Sequence, residues 1–113
     1  MRPEDRERLQ HMLEAAKEAI GFVERRTRGE LDTDRMLTLA LMKEIEIIGE
    51  AAYQMAEPSR SESTGIHWPA IINMRHRLVH EYQAIDLTVL WKTVQEDLPP
   101  LIAALEDILG SER

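Results

Sequence analysis

Cysteine is absent from this 113-residue chain, which excludes disulfides, thiolate chemistry and cysteine-ligated zinc. Glycine and proline number only five each. No stretch alternates apolar and polar residues with period two, so strands are not expected. No apolar run approaches the ~20 residues that span a bilayer. The opening MRPEDRERLQ is charged where the apolar region of a signal peptide would lie. A soluble, cytoplasmic protein is therefore expected. Positive charge is also scarce: 14 Lys and Arg against 21 Asp and Glu give a net charge of −7. That balance argues against generic, backbone-driven binding to long nucleic acid.

What remains is helical. The length suits one domain, 1–113, with a single core. A first helix is expected from about Pro3 to Arg26, with Leu9, Met12, Leu13, Ala16, Ile20 and Val23 as its buried stripe. Arg25, Arg26 and Arg28 would complement its negative end, and Gly29 would stop it. Asp32 or Thr33 can cap a second helix reaching about Ala56, before Pro58. Its segment 36–42 is apolar on nearly every side, which predicts burial against more than one neighbour, within the monomer or across a dimer. Gly49, inside that helix, suggests close approach of another helix. Residues 59–65, serine-rich and polar, read as a loop. Trp68-Pro69 opens a third helix that continues into 75–82. Asp86 caps a fourth, with its stripe at Leu87, Leu90, Trp91, Val94, Leu98, Leu101, Ile102, Leu105 and Ile108. Pro99-Pro100 should bend or split it. The expected architecture is an all-α up-down bundle of four to five helices.

The chemistry gathers in Arg75-His76-Arg77-Leu78-Val79-His80-Glu81-Tyr82. Between Arg60 and Tyr82 the net charge is +1, leaving −8 for the remainder, and three of the four histidines fall in this window. An acidic body with one basic, histidine-rich strip suggests a small anionic target or a confined cleft. At ~100° per residue, His76 and His80 share one helix face with Asn73 between them. Arg75 and Tyr82 fall on another side, so Arg75 and His80 do not converge on one straight helix. The helix is distorted, or the arginine wraps around it, or a second copy completes the site. The last is favoured, because a two-fold axis beside this helix would set two motifs face to face.

Histidine serves as acid or base near neutral pH, and arginine presents a charged fork matched to phosphate oxygens. Together they suit metal-independent RNA cleavage. His80 would move a proton at the ribose 2′-hydroxyl or the leaving oxygen, and Arg75 would stabilise charge on the phosphoryl group. Plainer readings stand beside this one. Each histidine can be a solvated surface residue, and Arg75 can pair with a buried acid such as Glu46 or Glu50. Tyr82 can be a core aromatic, and His76 with His80 can be a metal pair that lacks a third ligand.

Arg75, four intervening residues, His80, one residue and Tyr82 resemble the R-x4-H-x-Y signature of the HEPN superfamily. The HepT-like branch is suggested by Trp68-Pro69, Met74-Arg75, Leu78-Val79-His80-Glu81-Tyr82, Ile85-Asp86, Trp91, Asp97-Leu98-Pro99 and Ile48-Gly49-Glu50-Ala51. The likeness runs from about Leu9 to Leu105. It implies a homodimer with the active cleft at its interface, acting as the toxin of a toxin–antitoxin module. It further implies a metal-independent endoribonuclease needing no cofactor, with Arg75 and His80 catalytic and His76 supporting. The implied partner is an MNT/MntA-type nucleotidyltransferase antitoxin, which silences the toxin by transferring AMP to Tyr82. Some HEPN proteins are instead non-catalytic helical modules that partner such a nucleotidyltransferase. In a third arrangement the nucleotidyltransferase is the harmful partner.

Overall fold

The computed structural model describes residues 1–79 and 84–111. It is an all-α bundle, as the sequence implies. Its elements are α1 (Pro3–Val23), α2 (Glu30–Thr33), α3 (Arg35–Gln54), α4 (Glu57–Glu62), α5 (Trp68–Ile72), a 3₁₀ turn (Met74–Arg77), α6 (Leu87–Lys92), a π-helical turn (Thr93–Asp97) and α7 (Leu98–Ser111). Among the described residues the only β pairing is an isolated bridge between Val79 and Ile85. No described helix is long and apolar enough to cross a membrane. The central pair is α1 on α3, and α7 packs on the other side of α1. Leu9, Met12, Leu41, Ile45, Ile48, Leu98 and Leu105 are fully buried between them.

Several boundaries differ from expectation. Helix α1 ends at Val23 rather than Arg26, and the chain turns through Arg25, whose φ of 62° is left-handed. Gly29 is not the stop; it precedes α2 with a helical φ of −61°. The arginines that should complement the end of α1 instead pair with the next turns. Arg26 binds Glu30 and Asp34 at 3.0 and 3.1 Å, and Arg28 binds Asp32 at 2.9 Å. Those ion pairs offer the guanidinium groups full charges in place of a partial helix charge. The cap of α3 is Asp34, whose Oδ1 accepts the Leu37 N–H at 3.0 Å, because Asp32 and Thr33 are spent in α2.

The serine-rich segment is not a loop throughout. Pro58 stands in the first turn of α4 and starts a helix instead of ending one. Its serines find partners: Ser59 Oγ donates to Asp5 Oδ2 at 2.6 Å, and Ser63 Oγ donates to the Ser59 carbonyl. Trp68 Nε1 donates to the carbonyls of Arg60 and Ser63, tying α4 to α5. Asp86 does cap α6, accepting from the Val89 N–H. Pro99-Pro100 does not split the final helix. The turn before it widens instead, with the Leu98 N–H reaching back to the Thr93 carbonyl.

Two buried carboxylates stand in opposite electrical situations. Asp5 has no solvent exposure. Burial disfavours its charge, but hydrogen bonds from Ser59, Arg8 and the Ala56 N–H outweigh that cost and hold the carboxyl at about 2. Arg8 Nη1 lies 2.7 Å from it. It therefore fastens the start of α1 to α4. Glu44, in α3, is pushed up to about 7 by burial and by the neighbouring Glu18 carboxyl. Among the described residues its Oε2 is buried without a hydrogen-bond donor.

The two groups give stability opposite slopes with pH. The Asp5 contribution is complete above its ordinary value of 3.8 and is lost as pH falls towards 2. The Glu44 contribution is complete below 4.5 and is lost as pH rises through about 7. Asp5→Ala is expected to remove about 3 kcal/mol at pH 7, since charge-assisted bonds contribute ~1.5–3 kcal/mol each. That deficit should shrink towards pH 2. Glu44→Gln should raise the melting temperature at pH 8 and leave it nearly unchanged at pH 4. Thermal unfolding across pH 2–9 reads both.

Candidate active site

Residues 68–79 do not form the single helix expected of them. Helix α5 ends at Ile72, and the Asn73 N–H turns back to the Pro69 carbonyl at 3.0 Å. The 3₁₀ turn Met74–Arg77 follows. Met74 is fully buried in this turn, as is Leu78 just after it, while Arg75, His76 and Arg77 between them are exposed. Of the three ways considered for bringing the motif together, distortion of the helix is present in a single chain. The angular relations expected of a straight helix do not hold from Asn73 to Arg77, and those that involve His80 and Tyr82 fall outside the described residues.

After the turn, the chain is tied back across itself. The Leu78 N–H donates to the Arg75 carbonyl at 3.0 Å, and the Asp86 N–H donates to the Leu78 carbonyl at 2.7 Å. Val79 bridges Ile85 in antiparallel register. Leu78 is fully buried, and Val79 and Ile85 pack against the core. The positions flanking the signature are therefore anchored. His80, Glu81 and Tyr82 lie outside the described residues, so Arg75 and His76 carry the geometry of the candidate site.

Gly49 determines how close α5 lies to α3. A Cβ at this position would sit 3.5 Å from the Ile72 carbonyl oxygen and 3.7 Å from that of Ile71. The close approach expected from an internal glycine is thus found, and the element approaching is the last turn before the motif. From there Arg75 reaches back to α3, where its Nε donates to Glu46 Oε1 at 3.0 Å. The acid expected as a plain partner of Arg75 is hence Glu46, although it is half exposed rather than buried. Arg77 points towards Asp97, with Nη2 at 3.4 Å.

Arg75 and His76 line an open groove of about 900 Å³. Its floor is the outer face of α3, including Ile47, Glu50 and Ala51, and its far wall is α1, through Arg8 and His11. Lys43 also lines it and has no ion-pair partner among the described residues. The sequence reading missed this second wall, and His11 fell outside the histidine-rich window. No local pattern marks Arg8 and His11; only the pairing of α1 with α3 brings them opposite the motif. The groove combines two guanidinium groups, one ammonium group and two imidazoles with two carboxylates. That set can bind a phosphodiester and exchange protons with it. Among the described residues, no group of three or more His, Asp or Glu is arranged to hold a metal ion.

Of the two ways expected to bury the all-round apolar segment 36–42, packing within one chain leaves its outer face uncovered. Met36 is 83% exposed and Leu39 46%, with Tyr53 and Phe22 of α1 also exposed. The inner residues Leu37, Leu41, Ile45 and Ile48 account for the packing within one chain.

The family described as ribonuclease HepT-like matches residues 12–108. A proposed RNase of Caldanaerobacter subterraneus subsp. tengcongensis is 30% identical over 105 residues, covering 93% of this chain and 94% of that protein. A proposed RNase of Methanocaldococcus jannaschii is 32% identical, covering 87% and 90%. A proposed ribonuclease HepT of Thermococcus cleftensis is 35% identical, covering 85% and 91%. No solved structure matches significantly.

Substitution at Gly49 should separate helix propensity from docking. Gly49→Ala is expected to stabilise the chain by up to ~1 kcal/mol, since a methyl group meets only ordinary van der Waals contact. Gly49→Leu should cost about 1–3 kcal/mol and displace α5. Urea unfolding of the two variants, with amide chemical shifts of residues 71–77, measures both effects.

Proposed function

Because the chain belongs to the ribonuclease HepT-like family, we propose that it is a metal-independent endoribonuclease and the toxin of a toxin–antitoxin pair. The observation that carries this reading is Arg75, held on a tight turn at the edge of an open groove with His76 beside it. Arg75 and His80 are the catalytic pair. An RNA phosphate is bound by the Arg75 guanidinium, which lowers the cost of the charge developing on the phosphoryl oxygens. His80 assists transfer of the proton from the ribose 2′-hydroxyl or to the leaving 5′-oxygen. The 2′-oxygen forms the new P–O bond as the 5′ P–O bond breaks, so no metal or cofactor enters the scheme. His76, one residue from Arg75, supports the phosphate as a polar neighbour.

The exposed apolar residues of α3 favour a homodimer. Met36, Leu39 and Tyr53 form a surface that a second copy can cover, and the groove adjoins it through Ile47 and Tyr53. A two-fold axis there would bring two grooves together at the interface. The second partner is an MNT/MntA-type nucleotidyltransferase antitoxin that transfers AMP to Tyr82. Each AMP adds about one negative charge and considerable bulk. Near Arg75, this occupies the guanidinium and imitates the substrate. Both events take place in the cytoplasm, where RNA and ATP are available.

Purified protein incubated with total RNA in EDTA should cleave it, and His80→Ala should lose about 10²–10⁴ in rate while keeping its dimer and its melting temperature. Cleavage that survives this substitution, or that requires added metal, would leave the non-catalytic partner of a nucleotidyltransferase as the better reading. In a second experiment, Tyr82→Phe should escape silencing when the antitoxin is co-expressed, and growth arrest should persist. Mass spectrometry should find AMP on the wild type alone. Silencing of Tyr82→Phe without a stable complex would exclude modification at this residue.

A further inference from the structure

We propose that Glu46 is a positioning residue that orients the Arg75 guanidinium towards the RNA phosphate, a role that rests on the ribonuclease reading. The geometry of one hydrogen bond carries it. Arg75 donates through Nε, not through its terminal nitrogens, to Glu46 Oε1 at 3.0 Å. Among the described residues the Arg75 side chain has no other hydrogen-bond or ion-pair partner. With respect to those residues both terminal Nη groups are left as a planar fork, the arrangement that binds two phosphate oxygens at once. The neighbouring Arg77 is held differently. Its terminal Nη2 faces Asp97 at 3.4 Å, so the end of its fork is already engaged.

The mounting is asymmetric in a useful direction. Glu46 stands on a helix of 20 residues whose neighbouring positions Ile45 and Ile48 are fully buried, so its backbone is fixed by the core. Arg75 stands on a four-residue 3₁₀ turn, and its long side chain is 48% exposed. An unrestrained arginine of this kind has ~2 kcal/mol of rotamer freedom to lose when it grips a ligand. The Glu46 contact removes part of that freedom before RNA arrives. It also sets the plane of the guanidinium from the side away from the phosphate.

Stability gives this pair little reason to exist. Glu46 is 43% exposed, and exposed ion pairs contribute a median of ~0–1 kcal/mol. A contact of small structural value that leaves the fork of the candidate catalytic arginine free is placed for function. Glu46 does not touch the substrate in this scheme; it acts through Arg75.

The test is steady-state cleavage of a short RNA in EDTA by the full chain. Glu46→Ala should lower kcat by about 10–100-fold, the range seen when groups that orient a catalytic residue are removed. KM and the unfolding temperature should change little. Glu46→Gln keeps an acceptor for the Nε–H and should recover to within about threefold of wild type. Arg75→Ala, assayed alongside, should be at least as impaired as Glu46→Ala. A Glu46→Ala protein with wild-type kcat, or one that cleaves faster because a competitor for Arg75 has gone, overturns the proposal. So does equal loss in the Ala and Gln variants. If Arg75→Ala itself cleaves at the wild-type rate, the ribonuclease reading at this motif fails first, and the role of Glu46 falls with it.

Discussion

The docking of α5 on α3 at Gly49 is the contact on which the candidate site depends. The carbonyl oxygens of Ile72 and Ile71 lie 3.5 and 3.7 Å from where a Cβ at 49 would stand, so the end of α5 packs closely on α3 at this turn. Everything after it takes its position from that seat. Met74 and Leu78 enter the core one after the other, and the turn between them is lifted to the groove edge. A glycine inside a helix costs roughly 1 kcal/mol relative to alanine. A methyl group there would meet only ordinary contact, so the seat needs a small residue, and it lies one turn from Glu46 on the same helix. Scaffold and site are thus joined across a single turn of α3.

Much of the scaffold was legible because it rests on periodicity. Leu9, Met12, Leu13, Ala16 and Val23 are buried as their spacing implies, and Ile20 is half-buried. In the last helix Leu90, Val94, Leu98, Leu101 and Leu105 behave likewise. Apolar stripes at helical spacing have few alternatives in a chain without strand signals. Termination was harder to read. Arg25 takes a left-handed conformation that glycine would adopt more cheaply, and Gly29 is not used for it. Pro58 and Pro99 are breakers in a helix interior but tolerated in a first turn or after a widened one. Their effect is set by where the helix begins, which depends on tertiary packing.

Of the candidate site residues, Arg75 and His76 line the groove, while His80 and Tyr82 lie outside the described residues. The geometry between them was drawn on a helix that stops at Ile72. Met74 and Leu78 are four apart, a spacing that suits a continuing α-helix, so the alternation of buried and exposed residues gave no sign of the 3₁₀ turn that is found. The opposite wall of the groove had no local signature at all. Arg8 and His11 matter through the packing of α1 on α3, and Asp5 fastens the same end of α1 to α4 by joining Arg8 to Ser59.

That packing makes the two walls mechanically linked. Arg8 lines the groove through a side chain whose Nη1 is held by Asp5, and Asp5 is held in turn by α4. Arg75 lines the other side through a side chain whose Nε is held by α3. In each case a carboxylate on or against a buried element restrains a guanidinium that lines the groove. An acidic protein can thereby present positive charge locally without distributing it over the surface. Long-range attraction for a polyanion is weak under a net charge of −7, so recognition must be decided at short range. Two restrained arginines, with Lys43 in the same groove, meet that requirement better than a diffuse basic patch would.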